Sequence, residues 1–384
     1  MWPLHLKLHA RFFATASELA KWERRCNRLT QLQRQIRFLP LQHFSVGDMT
    51  YTLPLKALGP PSHLPTRQEL GYLAGFFDGD GYVSMVKSTG QMSMGIGQTL
   101  DSARVLIRFR DSFGGGIWHH RCQSGTHRAT LQWQVHGRTM RHAAQVLCKV
   151  PSMQRAQLQI AAAGKITKAD RSGVAQTLRL LKQKDHVPAN FSCSWPYFAG
   201  FFDAEGSISV RGSCVGLELQ VGQMNPFVLE ELHSFLHKQE LSKWRLECRS
   251  DGGCQLRCAD LATCKRTLRH LLDAGLDLKQ SQAALAVSLE ADNHKQVREH
   301  MFSLNGFNSK YRRLDDAGIE RAKQINSVRK QFNRASSQQE RELLQAKLEG
   351  LREDHKLQKL QLKSVSLRGS IRQSLQDGGF VVPI

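Results

Sequence analysis

Acidic residues are scarce in this chain, and at its start they are almost missing. Asp and Glu number 33 in 384 residues against 54 Lys and Arg, a formal net charge of +21. Up to Val46 the only acids are Glu18 and Glu23. An excess of that size favours a polyanionic partner, either nucleic acid or an anionic surface. No run is long and apolar enough to span a bilayer, which sets the membrane aside. Nor is there a Cys-x-x-Cys pair. The nine cysteines are scattered, and Cys254, Cys258 and Cys264, the nearest thing to a cluster, fit no common zinc spacing. The odd count and lack of a framework predict reduced thiols.

What is present is a segment spelled twice. Residues 73–81 read Leu-Ala-Gly-Phe-Phe-Asp-Gly-Asp-Gly, and residues 198–206 read Phe-Ala-Gly-Phe-Phe-Asp-Ala-Glu-Gly. Asp78 falls on Asp203 at an offset of 125 positions, and at that offset Gln98 falls on Gln223. Similarity at one fixed offset marks a duplicated structural unit.

The predicted organisation follows from that repeat. Residues 1–58 form an acid-poor, Arg-rich amphipathic segment in which Arg11, Arg24, Arg25, Arg28, Arg34 and Arg37 alternate with apolar residues such as Phe12, Phe13 and Leu19. That is the signature of a transit peptide, pointing to the mitochondrion, with chloroplast or nucleus as alternatives. The other reading of this segment is a disordered basic arm that contacts DNA. The stretch Gly59–Pro65 is a loop. Thr66 with Glu69 three residues on predicts a capping box. A first repeat at 66–165 and a second at 194–304 each read helix, two strands, helix, two strands, helix. A Lys-rich linker at 166–193 joins them. Residues 305–384 turn dense in Lys, Arg, Glu and Gln with sparse leucines, which predicts a basic helical extension of one or two exposed helices. Residues from Gly378 onward carry no readable signal.

The duplicated helices have a physical consequence. Ala74 and Gly75, like Ala199 and Gly200, leave a groove almost free of side chains, so the two helices can touch backbone to backbone. Their C-terminal turns then carry Asp80 and Glu205 to the bottom of that contact. Two carboxylates brought that close repel unless a cation sits between them. Hard divalent ions satisfy this, and Mg²⁺ suits a site with few protein ligands and many waters, with Mn²⁺ as a substitute. Such ions favour in-line phosphodiester displacement.

With these residues in view, the chain resembles the LAGLIDADG homing endonucleases of the single-chain, two-repeat kind, over residues from about Thr66 to Asp292. The resemblance implies an α+β fold of two αββαββα pseudo-repeats, motif helices packed at their interface, and two sheets forming a DNA-binding saddle. It implies a monomer with pseudo-twofold symmetry acting on double-stranded DNA as a divalent-metal-dependent, sequence-specific endonuclease. The same fold can also serve as an organellar splicing factor that binds structured intron RNA. It implies metal ligation by Asp80 and Glu205, with Asp78 and Asp203 as helix-end hydrogen bonders. Gln98 and Gln223 match a glutamine near the cleavage centre. Lys279, in Leu278-Lys279-Gln280-Ser281-Gln282-Ala283, matches a lysine that supports the hydrolytic water or transition-state charge. The first repeat departs from this pattern: Gln154 stands opposite Lys279, with Arg155 and Lys149 as possible replacements. DNA reading is expected from strand positions such as Ser84, Val86, Lys87, Trp118, His120, Arg121, Gln132 and Gln134. Their counterparts in the second repeat are Ser209, Arg211, Gln220, Arg245, Glu247, Arg249, Gln255 and Arg257.

Overall fold

The computed structural model describes residues 16–382 apart from 62, 125–126, 165, 184–186, 189–190, 213, 249–251 and 306–315. The chain divides into two units. One is discontinuous, drawn from Met1–Leu39, Gln123–His127 and Asn305–Ile384; the other comprises Pro40–Cys122 and Arg128–Leu304.

In chain order the first described elements are helix α1 (Ala16–Gln35) and the short strand β1 (Ile36–Arg37). A hairpin follows, β2 (His43–Val46) and β3 (Met49–Thr52), then strand β4 (Leu55–Leu58). The first repeat contains α2 (Arg67–Asp80), β5 (Gly81–Met85), β6 (Met92–Thr99) and α3 (Ala103–Phe113). It continues with β7 (Gly115–Arg121), β8 (Thr130–His136), α4 (Gly137–Leu147) and α5 (Arg155–Ala163). Helix α6 (Arg171–Leu180) lies in the connector. The second repeat supplies α7 (Trp195–Glu205), β9 (Gly206–Val210), β10 (Leu217–Gln223) and α8 (Pro226–Lys238). Strands β11 (Arg245–Cys248) and β12 (Cys254–Cys258) and helices α9 (Leu261–Asp273) and α10 (Gln280–Val287) complete it. After α11 (His294–Asn305) come α12 (Asp316–Arg334), α13 (Gln338–Gln376) and β13 (Phe380–Val381).

Each repeat is therefore αββαββα followed by one further helix, as the sequence predicts. Both sheets are antiparallel and share one strand order: β7-β8-β6-β5 in the first, β11-β12-β10-β9 in the second. Strand alternation explains which face each sheet buries. Val83, Met94, Ile96, Leu131, Trp133 and Val135 point inward against α3 and α4, and Ile208, Leu219, Val221, Leu256 and Cys258 do the same in the second sheet. The buried indole N–H of Trp133 is satisfied by the carbonyl of Gly114 at 2.8 Å, and that of Trp244 by Thr267 at 3.2 Å. Gly114 and Gly115 adopt φ of +76° and +85°, which is why a glycine run ends α3.

Helix starts follow their caps. Thr66 and Glu69 make the expected capping box: Thr66 Oγ1 accepts from Glu69 N, and Glu69 accepts from Thr66 N at 2.9 Å. Ser194 caps α7, with Pro196 in its first turn.

Several expectations need correction. Residues 16–58 are not a disordered arm: they carry α1 and strands β1 to β4. Leu19, Cys26 and Gln33 are buried at a seven-residue spacing along α1, and their partner is α13, where Cys26 Sγ bonds Leu360 O at 3.2 Å and Gln33 bonds Ser370 at 2.9 Å. An amphipathic helix whose partner lies over 300 residues away reads, in sequence, like a targeting segment. Strand β4 pairs with β7, giving the first sheet a fifth strand. The end of the chain is not featureless either: β13 pairs antiparallel with β1, Ile36 opposite Val381. Cys248 and Cys254 sit opposite one another in β11 and β12 and form a disulfide, so these two are not reduced thiols. Arg11, Phe12, Phe13 and Arg249 lie outside the described residues. Among the described residues no helix is long and apolar enough to cross a membrane.

Candidate active site at the repeat interface

The site is built on the contact between α2 and α7. A methyl group placed on Gly75 would lie 2.0 Å from the carbonyl oxygen of Tyr197, and one on Gly200 would lie 1.9 Å from that of Tyr72. Backbone fills the space a side chain would need, so only glycine allows this approach. The same relation appears in both directions, as expected of a duplicated unit.

Two buried carboxylates, one per repeat, lock that contact. Asp78 accepts from Ser152 Oγ (2.6 Å), Met153 N (2.6 Å) and Gln154 N (3.1 Å) in its own repeat, and from the Tyr197 hydroxyl (2.9 Å) across the interface. Asp203 mirrors it, accepting from Asp277 N (2.7 Å), Leu278 N (2.9 Å) and Lys279 N (2.8 Å), and from Tyr72 across the interface (2.8 Å). These residues tie the end of each motif helix to the turn before α5 or α10 and so fix where Lys279 and Gln154 stand. Burial pushes Asp78 up to about 6 even though its four hydrogen bonds favour the ionised form. The cross-interface tyrosines were not picked out from sequence, yet Tyr72 and Tyr197 are themselves 125 positions apart, and extending the repeat alignment one residue upstream of the motif reveals them.

Two residues beyond, Asp80 and Glu205 stand side by side. A methyl on Gly79, next to Asp80, would lie 3.2 Å from Glu205 Cγ. Burial raises the Glu205 carboxyl to about 7, with the Asp80 charge as the next cause and Lys279 opposing both. Asp80 is also raised, by burial, against a hydrogen bond from Gln98 and the charge of Lys279. The Lys279 ammonium is lowered by burial and held charged by Asp203, Asp80 and Glu205 together. Its Nζ donates to the Asp203 carbonyl. The structure therefore brings Asp80, Glu205, Gln98 and Lys279 into one constellation.

The two halves are not equivalent. Gln98 Nε2 donates to Asp80 Oδ2 at 2.7 Å. Gln223 lines a cavity of about 430 Å³ together with Glu205, but its amide oxygen accepts from Met224 N at 2.8 Å. Among the described residues no hydrogen bond joins Gln223 to Glu205. Gln154 is spent on structure: its Nε2 donates to the carbonyls of Phe77 and Gly81, both at 2.9 Å. Of the two replacements considered for the missing lysine, Arg155 lies near Cys148 and Lys149 is exposed, while Lys279 is the cation that acts on Asp80.

The donor set fits a hard divalent cation. Burial first, and the Asp80 charge second, raise Glu205 against the charge of Lys279, and two adjacent carboxylates are oxygen donors of the kind such a cation takes. Among the described residues no cluster of three or more His, Cys, Asp or Glu could hold a metal.

The outward sheet faces are polar. Tyr82 pairs by hydroxyl with Gln132 (2.5 Å) and Gln134 (3.2 Å), and Trp118 stands opposite Gln132 on the same face. In the second sheet Gln220, Gln255, Arg245 and Arg257 share the face away from the core. Glu218, not singled out from sequence, sits among them, 2.7 Å from Arg257 and 3.8 Å from Arg211. Val86 and Lys87 fall in the turn beyond β5.

No protein-family model matches the sequence, and no curated protein matches it. Solved structures do. The chain is similar to LAGLIDADG homing endonucleases. The structure of LAGLIDADG homing endonuclease I-GzeII in complex with its DNA target aligns at TM-score 0.45 and 12% identity, covering 63% of this chain and 99% of that one. LAGLIDADG meganuclease I-CpaMI bound to uncleaved DNA aligns at 0.45 and 12%, covering 62% and 99%. Meganuclease I-SmaMI bound to uncleaveable DNA aligns at 0.46 and 11%, covering 63% and 98%.

Proposed function

We propose that this chain is a LAGLIDADG-type endonuclease: a divalent-cation-dependent, sequence-specific enzyme that hydrolyses phosphodiester bonds in both strands of DNA. The observation that supports this best is the adjacency of Asp80 and Glu205 at the foot of a glycine-mediated helix pair, with Lys279 acting on both. An acidic pair that disfavours its own ionisation has no structural use comparable to the hydrogen bonding of Asp78 and Asp203.

In this reading Asp80 and Glu205 hold Mg²⁺, with Mn²⁺ able to replace it. When bound, such ions neutralise phosphate charge and acidify water at neutral pH. Gln98 fixes the Asp80 carboxylate through its 2.7 Å hydrogen bond. Lys279, anchored to the Asp203 carbonyl, presents a positive charge beside the phosphate, where negative charge grows in the transition state. Outward arginines and glutamines of both sheets read base edges, arginine suiting guanine and glutamine adenine.

The test is incubation of the full chain with Mg²⁺ and a randomised duplex DNA library, beside the Asp80→Asn/Glu205→Gln variant. Cleavage of a defined subset by the parent and none by the variant supports the proposal. Tight binding to structured intron RNA, with no DNA cleaved in Mg²⁺ or Mn²⁺, replaces it with the splicing-factor reading.

A further inference from the structure

The discontinuous unit carries a charge pattern that its packing does not explain. Between Arg24 and Leu39, across most of α1 and all of β1, there are five arginines and no acid. Between His355 and Gln376, the second half of α13, there are five Lys and Arg and again no acid. These two stretches pack on each other, through Cys26 to Leu360 and Gln33 to Ser370. The charges therefore accumulate on one body. Arg25 and Lys363, one from each helix, both act on the buried thiol of Cys26. The core of this body is made of other residues, among them Leu19, Ile36 and Ile371, and the ten basic side chains are exposed. Of these ten, the one with a salt bridge among the described residues is Lys356, to Glu23 at 2.7 Å.

Arg25 stacks over Trp22, Arg37 bonds the carbonyls of Arg34 and Ile36, and Lys356 meets Glu23; the other seven exposed like charges repel one another. At about 100° and 1.5 Å per residue, Lys356, Lys359 and Lys363 share one side of α13 over about 10 Å, and Arg368 and Arg372 share another; a duplex carries one negative charge per roughly 1.7 Å of its axis. Asn27 and Gln31 lie exposed between the cations of α1, and neutral hydrogen-bonding side chains of this kind contact phosphate oxygens.

We infer that the α1/α13 body is a second nucleic-acid-binding surface, which grips the phosphate backbone of duplex DNA without reading sequence. It is carried by different residues from the Asp80/Glu205 site and stands whether or not that site cleaves DNA.

The experiment measures binding of the full chain to a non-cognate 30-base-pair DNA duplex in EDTA at several KCl concentrations. The same series is run on Lys359→Gln/Lys363→Gln/Arg368→Gln/Arg372→Gln. The slope of log affinity against log salt becomes shallower by about 2 where one side of α13 meets the duplex, and by about 3 to 4 where both do. A companion Lys359→Arg/Lys363→Arg variant retains the parental slope, and an unchanged thermal midpoint confirms that the quadruple variant is folded. An unchanged slope in the quadruple variant overturns the inference. So does a loss confined to duplex RNA, or to phosphatidylserine vesicles, run as parallel arms. Failure of the cleavage assay does not bear on this result, because no cleavage occurs in EDTA.

Discussion

The hydroxyl of Tyr197 in the second repeat donates to the buried carboxylate of Asp78 in the first, at 2.9 Å. Tyr72 returns the bond to Asp203 at 2.8 Å. These reciprocal clamps hold the two motif helices in the register that brings Asp80 to Glu205. Removing one donor leaves a buried charge less well satisfied, so Tyr197→Phe is expected to cost about 2 kcal/mol. Denaturant unfolding of the parent and of both Tyr→Phe variants checks this, and the double variant should depart from the sum because both clamps hold one helix contact.

Gly200→Ala places a methyl group 1.9 Å from a backbone carbonyl that cannot step aside. Overpacking against backbone exceeds the usual range of 1–3 kcal/mol for cores, and a loss of at least about 3 kcal/mol is expected. Gly97→Ala, where the nearest atom is 4.0 Å away, should be near neutral. Thermal melts of the two variants separate a close-packing requirement from a general intolerance of alanine.

The pH dependence follows from sign. Glu205 is raised to about 7 and Asp78 to about 6, both above their unfolded values. The folded protein then binds more protons than the unfolded chain between about pH 4 and 7, so stability without divalent ions falls as pH rises through that window. Denaturation midpoints in EDTA from pH 5 to 8 should show the decline, and Glu205→Gln should flatten its upper part. Added Mg²⁺ should stabilise the protein more at pH 8 than at pH 5.

The unequal pair Lys279 and Gln154 predicts unequal strand cleavage. Lys279 acts on both carboxylates, whereas Gln154 is committed to the carbonyls of Phe77 and Gly81. Lys279→Met should lower the cleavage rate by about 100-fold, in the range expected for loss of one charge-stabilising group. It should leave substrate affinity nearly intact. Gln154→Met should act mainly on stability. Single-turnover assays with each strand labelled at its 5′ end resolve the two rates, and a nicked intermediate should accumulate in the parent.

Much of this site is legible in the sequence because the information is local and doubled. A small-residue helix ending in acids, spelled at one offset, fixes the helix contact, the carboxylate pair and the flanking glutamines. The side-chain bonds that distinguish the halves are less legible, because Gln98 and Gln223 look identical in sequence. The folded body of α1 and α13 escapes notice for another reason: its core joins residues over 300 positions apart, and each half alone reads as a solvated or targeting helix. Strand β4 is hidden in the same way, since only the edge of β7 gives it a partner.

The central claim is that Asp80 and Glu205 act as one cation site, and Mn²⁺ titration of the full chain tests it most directly. Asp80→Asn and Glu205→Gln should each weaken Mn²⁺ binding strongly, and the double variant should be little worse than either single one. Two losses that simply add, or binding that survives both substitutions, would contradict it.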